Sequence, residues 1–502
     1  MTDNRGLKNI IFGLLNQFIT IAFGLILPRM FIMNYGSETN GLISSVNQVY
    51  TYVALLEAGI GTASLQALYK TIASNDHKET NAVLAATNHF YRRTGLWYLV
   101  AVCVLSVGFP FVIKTEIPKT TISLVVLFSG LGGVINYLFQ GKYRILLRAE
   151  GKNYLLSNIG TFVYIASNIT KIVFIWLGYS IVAIQAAYFV INVAQMLFII
   201  IYIKKHYQWI DFTVKPNYKA IASKKNVFVH QISDLVFSNT DVMILTMMTG
   251  LKTVSVYTMY SSFFNMVKSI LYCFLDGVQF ALGQTFNSDY SRFEVMEERF
   301  EASYMTLTFI LYSILYVLIT PFLSVYTRGI TDIKYVDNIL PLFFSLVFLL
   351  QGARGPMQLV INYAQHFKQT QGQAIMEAII NLTVTIASVY RYGIYGVLIG
   401  TIAALLYRAN AIIIYTNKNI LKRSPLVTYK RWGWNFSIFV LLFIINRVYF
   451  VSCTSYYQWI ILAIPITLII SGIYLVGMYI FEKDSFFWFV ELLLKRFFRN
   501  NR

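Results

Sequence analysis

Apolar runs of about twenty residues, parted by short polar breaks, fill nearly the whole chain, and about fourteen of them are long enough to cross a bilayer's hydrocarbon as helices. The spans cover residues 10–33, 42–64, 95–113, 121–141, 156–177, 180–203, 229–250, 255–281, 302–326, 339–362, 374–391, 393–416, 433–451 and 456–481. The seventh is the most polar, with His230, Asp234, Asn239 and Asp241 inside it.

Polar residues within the spans fall on helical faces. At about 100° per residue, Ser261, Asn265, Lys268, Tyr272 and Asp276 of the eighth span lie within about 80° of one another. Gln351, Arg354, Gln358 and Asn362 do the same in the tenth span. So do His230, Asp234, Ser238 and Asp241 in the seventh, and Asn40, Ser44, Asn47 and Thr51 in the second. Four apolar helices with polar faces imply a common hydrophilic cavity between the two halves of the chain.

The pattern also repeats. Gly36 recurs as Gly250, Ala67-Leu68 as Ala281-Leu282, Thr71 as Thr285, Ser74 as Ser288 and Lys78 as Arg292, all roughly 214 residues apart. The turn Gly178-Tyr179-Ser180-Ile181-Val182 resembles Gly393-Ile394-Tyr395-Gly396-Val397 at nearly the same offset. Internal duplication is common in secondary transporters, where the substrate site lies between repeats. The expected fold is an all-α integral membrane protein with about 14 transmembrane helices. Residues 1–214 and 215–428 would form two six-helix bundles related by a parallel repeat. Residues 429–502 would add two transmembrane helices and an amphipathic tail.

Composition agrees with a lipid solvent. Of 502 residues, 57% are hydrophobic and 13% charged, too little polar surface for a soluble protein of this length. The net charge of +19 follows topology. With fourteen spans and an inner N-terminus, inner segments hold about 29 Lys and Arg and outer loops about seven, the asymmetry of the positive-inside rule. Omitting the seventh span would throw the later basic loops onto the wrong side, so both termini are expected in the cytoplasm. The inner groups include Lys70, Lys78, Arg92 and Arg93, then Lys142, Arg144, Arg148 and Lys152, then Lys204 to Lys225. Divided among short loops, these residues form no nucleic-acid surface and instead face anionic lipid. The opening apolar run behind Arg5 and Lys8 exceeds a signal peptide's core and reads as the retained first helix. Cys103, Cys273 and Cys453 lie in separate spans without metal-ligand or disulfide spacing.

No soluble domain is expected. The longest polar stretches, 66–94, 204–228 and 282–301, are inner, and Asp76 with Glu79 and Ser291 with Glu294 mark helix starts within them. The stretch Lys204 to Lys225 reads as a basic linker between the halves. Phe486, Phe487, Trp488 and Phe489 ahead of Lys495, Arg496 and Arg499 read as an interfacial helix. Gly151-Lys152 lacks the upstream glycine and following hydroxyl of a nucleotide-phosphate loop, so ATP is not the direct energy source within this chain. The longest outer loop, 327–338, offers only Asp332 and Asp337, and no acid/base pair or nucleophile constellation points to an enzyme.

What remains is charge inside the membrane. A Lys or Arg at mid-bilayer costs about 2.5–3.5 kcal/mol on insertion scales, so several of them call for a wet cavity or an anion. Arg29, Lys171, Lys268, Arg354 and Arg408 are such cations. Together with Asn47, Asn265 and Gln358 they form the candidate substrate-binding set. Snorkelling is the structural alternative for Lys171 and Arg408, and pairing with Asp241 is that for Lys268. Glu57, Asp234, Asp241 and Asp276 are candidates for proton or sodium coupling, or internal counter-ions. No cofactor or metal is implied.

Leu27-Pro28-Arg29, Tyr35-Gly36, Asn40-Gly41-Leu42, Leu55-Leu56-Glu57-Ala58-Gly59-Ile60-Gly61 and Tyr69-Lys70 resemble the opening of bacterial polysaccharide flippases. The Asp/Asn-bearing helix at 234–241, the turn from Gly250 to Tyr257, and Tyr395-Gly396-Val397-Leu398-Ile399-Gly400 resemble their second-half landmarks. These are the Wzx-like members of the multidrug/oligosaccharidyl-lipid/polysaccharide exporter superfamily. The resemblance covers nearly the whole chain. It implies alternating access in the bacterial cytoplasmic membrane and an undecaprenyl-pyrophosphate-linked oligosaccharide as cargo, flipped from inner to outer leaflet. Membrane lipids, a polysaccharide polymerase and glycosyltransferases are the expected partners. The Arg after Leu-Pro carries over to Arg29 and the acid before Ala-Gly-Ile-Gly to Glu57. Lys268 and Arg354 rest on the polar stripes alone. A cation-coupled multidrug exporter of the same architecture is the alternative, and it would carry an acidic cavity. An integral-membrane glycosyltransferase or polymerase is a second alternative, disfavoured by the short outer loops.

Overall fold

The computed structural model describes residues 3–57, 60–74, 76–221, 239–449 and 453–498, with the backbone alone at 3–18, 276, 277, 280 and 492–498. Every regular element among the described residues is helical. In order these are α1 (Asp3–Val53), α2 (Ile60–Ala73), α3 (His77–Val112), α4 (Lys119–Ile135), α5 (Gly141–Ala149), α6 (Asn153–Trp176), α7 (Ile181–His206) and α8 (239–248). They are followed by α9 (Leu251–Ser288), α10 (Tyr290–Tyr326), α11 (Leu340–Tyr363), α12 (Phe367–Tyr392), α13 (Ile394–Tyr415), α14 (Leu426–Val448), α15 (Tyr456–Phe481) and α16 (Lys483–Phe498). Among the described residues ten helical segments are both long and apolar enough to cross a membrane. The chain is a multi-pass membrane protein. Much of the seventh expected span, including His230 and Asp234, lies outside the described residues.

The expected duplication has a backbone signature. Left-handed residues occur at Gly36, Gly151 and Gly178, and again at Gly250, Gln365 and Gly393. Each pair is separated by 214 or 215 positions, so the same chain reversals recur in the same places. The helix starts after the second and eighth spans match too. Asp76 caps α3 by accepting from the Glu79 amide, and Asp289 caps α10 by accepting from the Arg292 amide. That moves the second start to Asp289 from the expected Ser291, because the aspartate carboxylate two residues earlier already accepts from the third amide of the turn.

The second expected span is broken. α1 ends at Val53, a tight turn covers Ala54–Glu57, and α2 begins at Ile60. Glu57 is built into this break: its carboxylate accepts from the Tyr91 hydroxyl and the Gly61 amide. A Cβ on Gly61 would come within 2.5 Å of the Glu57 carboxylate, so a larger residue there would push that side chain out of its present contact.

Packing divides the chain into residues 1–255 and 256–502. The division falls inside α9, beyond the 214/215 boundary of the repeat, for two reasons. First, the linker lies on the first unit: Asn217 bonds the Ala82 carbonyl and Glu79, and Asn81 bonds the Trp209 carbonyl. Second, a polar seam joins α1 to α8 and the start of α9. Asn40 Nδ2 donates to Ser255 Oγ (2.8 Å), Gln48 Nε2 donates to Asn239 Oδ1 (2.5 Å), and Ser45 and Tyr52 share hydroxyl bonds with Thr246 and Thr240 (2.6 Å each).

In the second unit, α10, α11 and α13 supply most of the buried surface. The appended helices are fastened by charge. Glu297 and Glu301 of α10, each 1% exposed, meet Arg423 at 3.0 and 2.6 Å. Arg431 of α14 reaches Glu301 at 2.6 Å, Glu298 at 3.0 Å and Glu482, between α15 and α16, at 2.8 Å. Thr428 completes the group by donating to Glu301.

Candidate functional site

Two helices set the site by close approach. α12 and α13 run antiparallel from the left-handed Gly393, and Gly396 and Gly400 present a small-residue face to α12. A Cβ on Gly396 would lie 2.5 Å from the Ser388 carbonyl carbon, and one on Gly400 would lie 2.1 Å from Thr385 Oγ1. Such spacing lets membrane helices pack backbone to backbone. Going down the pair, Asn381 Nδ2 donates to Thr401 Oγ1 at 3.2 Å. The next rungs bring Arg408 of α13 against Glu377 of α12.

Glu377 is the centre of the site. Its Oε1 accepts from Arg354 of α11 at 2.5 Å, and Arg408 Nε lies 3.4 Å from Oε2. Arg408 Nη1 also donates to the Thr370 carbonyl (3.2 Å) and Gln373 Oε1 (3.1 Å). The two arginines therefore differ in freedom. Side-chain exposure is 5% for Arg408 and 4% for Glu377 but 22% for Arg354. Lys268 of α9 lies half-buried beside this group. Its ammonium stands 5.7 Å from the Tyr272 ring and 5.9 Å from the Phe348 ring, and it is repelled by Arg354. Two arginines thus share one carboxylate, and Lys268 feels the charge of one of them. Removing one partner of a buried ion pair costs about 3–5 kcal/mol, so the Arg408–Glu377 contact is also a structural pin.

The other expected site residues are placed as follows. Asn265 is exposed and bonds back to Ser261, and Gln358 donates to Asn362 one turn on at 3.3 Å. The Gln351 side-chain oxygen, one turn before Arg354, is buried with no hydrogen-bond partner among the described residues. In the first unit, Arg29 is half-buried on α1 next to Pro28, and Asn47 is exposed on α1. Lys171 of α6 sits over the Tyr188 ring of α7 at 5.1 Å. Asp241 is buried on α8 next to Thr240, and its charge acts on Tyr52. Glu57 holds the turn before α2. Asp234 and the side chain of Asp276 lie outside the described residues. The site therefore brings together Lys268, Arg354 and Arg408 of the expected set.

Glu377 was not among the expected residues. The signal was present: Thr370, Ala374, Glu377, Asn381 and Thr385 recur every three or four positions and form the buried face of α12. Glu377 lies within the expected span 374–391, but its partners come from other helices, so the sequence pattern alone does not single it out.

The chain superposes on a lipid II flippase, MurJ, in an inward closed conformation, with a TM-score of 0.69 over 95% of this chain and 99% of that one at 14% identity. An inward-facing multidrug resistance MATE family transporter of the MOP superfamily matches with a TM-score of 0.63 over 80% of this chain and 94% of that one, also at 14% identity. A MOP superfamily transporter from Pyrococcus furiosus, described as having a binding pocket of reverse polarity, matches at 0.55 over 82% and 95%, with 12% identity. No protein-family model and no curated protein sequence matches the chain. The chain therefore shares the fold of these flippase and transporter structures.

Proposed function

From this transporter fold and its cationic site, we propose that the protein flips an undecaprenyl-pyrophosphate-linked oligosaccharide from the inner to the outer leaflet of the bacterial cytoplasmic membrane, with both termini in the cytoplasm. The observation that carries the reading is the gathering of Lys268, Arg354 and Arg408 on membrane-buried helices. A diphosphate bearing sugars cannot enter hydrocarbon without losing its hydrogen bonds to water, whereas its polyprenyl tail stays there readily. Guanidinium groups hold phosphate oxygens through charge-assisted bonds, often two at a time. Exposed amides such as Asn265 take the place of water round sugar hydroxyls. Drug exporters moving cations need the opposite polarity, so the cationic site favours an anionic cargo.

In this reading the glycosyltransferases that build the repeat unit act before the protein, and a polysaccharide polymerase acts after it. Energy comes from a proton or sodium gradient, with Asp241 as the coupling group within the described residues. The deciding experiment follows a labelled lipid-linked oligosaccharide across vesicles containing the purified protein. Acquired accessibility at the opposite face supports the reading. Protection equal to that in protein-free vesicles, with a cationic drug transported instead, overturns it.

A further inference from the structure

We propose that Glu377 is a resident stand-in for the cargo's phosphate: it holds Arg354 between transport cycles, and the incoming diphosphate takes Arg354 from it. This rests on the flippase reading above. The geometry separates the two arginines by task. Arg408 is held on α12 by an ion pair with Glu377 and by hydrogen bonds from Nη1 to the Thr370 carbonyl and Gln373, and is almost fully buried. Arg354 comes from a different helix, keeps 22% of its side chain exposed, and meets the same carboxylate through its other oxygen. A carboxylate oxygen and a phosphate oxygen offer a guanidinium the same kind of acceptor at the same distance, so one replaces the other without new geometry.

The second arginine makes the exchange workable. If Glu377 had Arg354 alone, departure of the guanidinium would strand a buried carboxylate. With Arg408 fixed on the other oxygen, Glu377 remains paired whether Arg354 is home or away. Lys268, close enough to repel Arg354, favours its turning toward an anion. The carboxylate then competes for Arg354 after translocation and helps expel the diphosphate. Glu377 is thus a positioning residue that weakens binding and speeds release.

The test measures binding of undecaprenyl pyrophosphate to the full chain in lipid nanodiscs, with undecaprenol as the uncharged control. Glu377→Gln should bind the pyrophosphate about tenfold more tightly than wild type, a gain of one acceptor-competition term, and translocate cargo more slowly. The same substitution in an Arg354→Gln background should add nothing, since the arginine being competed for is gone. If Glu377→Gln does not fold, Glu377→Asp keeps the charge with a shorter reach and should tighten binding by a smaller factor. Unchanged or weaker binding in whichever of these variants retains wild-type thermal stability overturns the exchange. Wild-type protein that binds undecaprenol and the pyrophosphate equally sinks the flippase reading and this inference with it. Wild-type preference for the pyrophosphate without tightening in the variant sinks the inference alone.

Discussion

The α6–α7 pair of the first unit and the α12–α13 pair of the second begin from matching left-handed glycines, Gly178 and Gly393, yet they are joined by different chemistry. α12 and α13 approach through Gly396 and Gly400 and enclose Glu377 against Arg408. At the corresponding places α7 carries Ile181 and Gln185 in place of the two glycines, and the cation between the pair is Lys171, lying over the Tyr188 ring. Where Glu377 stands in α12, the repeat offset leads to Phe162 and Val163 in α6, and Phe162 is 74% exposed. Duplication preserved the chain reversals because backbone conformation admits few solutions. The helix faces were then free to diverge, and the buried arginine–carboxylate cluster lies in the second unit.

The largest expected effect tests that difference. Arg354→Ala or Lys268→Ala should abolish surface polysaccharide while leaving the protein inserted and expressed, since each removes a charged donor worth about 1.5–3 kcal/mol per bond to a developing contact. Lys171→Met is the matching change in the first unit. It gives up a cation–π contact of about 0.5–2 kcal/mol and should leave transport within about threefold of wild type. Loss as complete as that of Arg354→Ala would place binding chemistry in both units and break the comparison.

Next comes the helix contact itself. Gly400→Val would force a side chain into Thr385, and overpacking should cost about 1–3 kcal/mol, read as a lowered thermal midpoint in detergent. Val182→Leu at the looser α6–α7 pair should shift the midpoint by less than half as much. Equal shifts would mean that the two pairs are packed alike.

Asp241→Asn should then make transport insensitive to an imposed pH gradient while cargo binding persists. A response identical to wild type would assign the driving force to another group or another ion.

The smallest effect concerns the repeat's shared turns. Gln365 holds a left-handed conformation (φ 55°) that its counterpart Gly151 (φ 74°) adopts without steric cost. Gln365→Gly should therefore stabilise slightly, and Gly151→Ala should destabilise by about 1 kcal/mol. Destabilisation by Gln365→Gly would show that its side chain does more than tolerate the turn.

The fold was legible in the sequence wherever a backbone requirement leaves a residue signature. Gly36 with Gly250 and Gly178 with Gly393 marked the reversals because no other residue adopts those angles as readily. The broken second span was not legible, since Leu55 and Leu56 continue the apolar run through a turn that Glu57, Gly61 and Tyr91 impose from outside it. Lys268 and Arg354 were legible as charges on polar helix faces. Their relation to Glu377 was not, because it depends on how α12 is set by Gly396 and Gly400. Asn47 shows the converse: it belongs to a polar stripe, but Asn40, Ser45, Gln48 and Tyr52, spread over a wider face, make the bonds to α8 and α9.

The ion cluster at the start of α10 has a consequence for the order in which the protein is made. Glu301 leaves the ribosome 130 residues before Arg431, its buried partner. At about 5–20 residues per second, that carboxylate waits on the order of ten seconds for its counter-charge. During that interval the start of α10 cannot take its final depth without hiding an unpaired acid, so that helix end is expected to stay near water until α14 arrives. A chain released anywhere before Arg423 would leave Glu297 and Glu301 without the cations that pair with them in the folded protein.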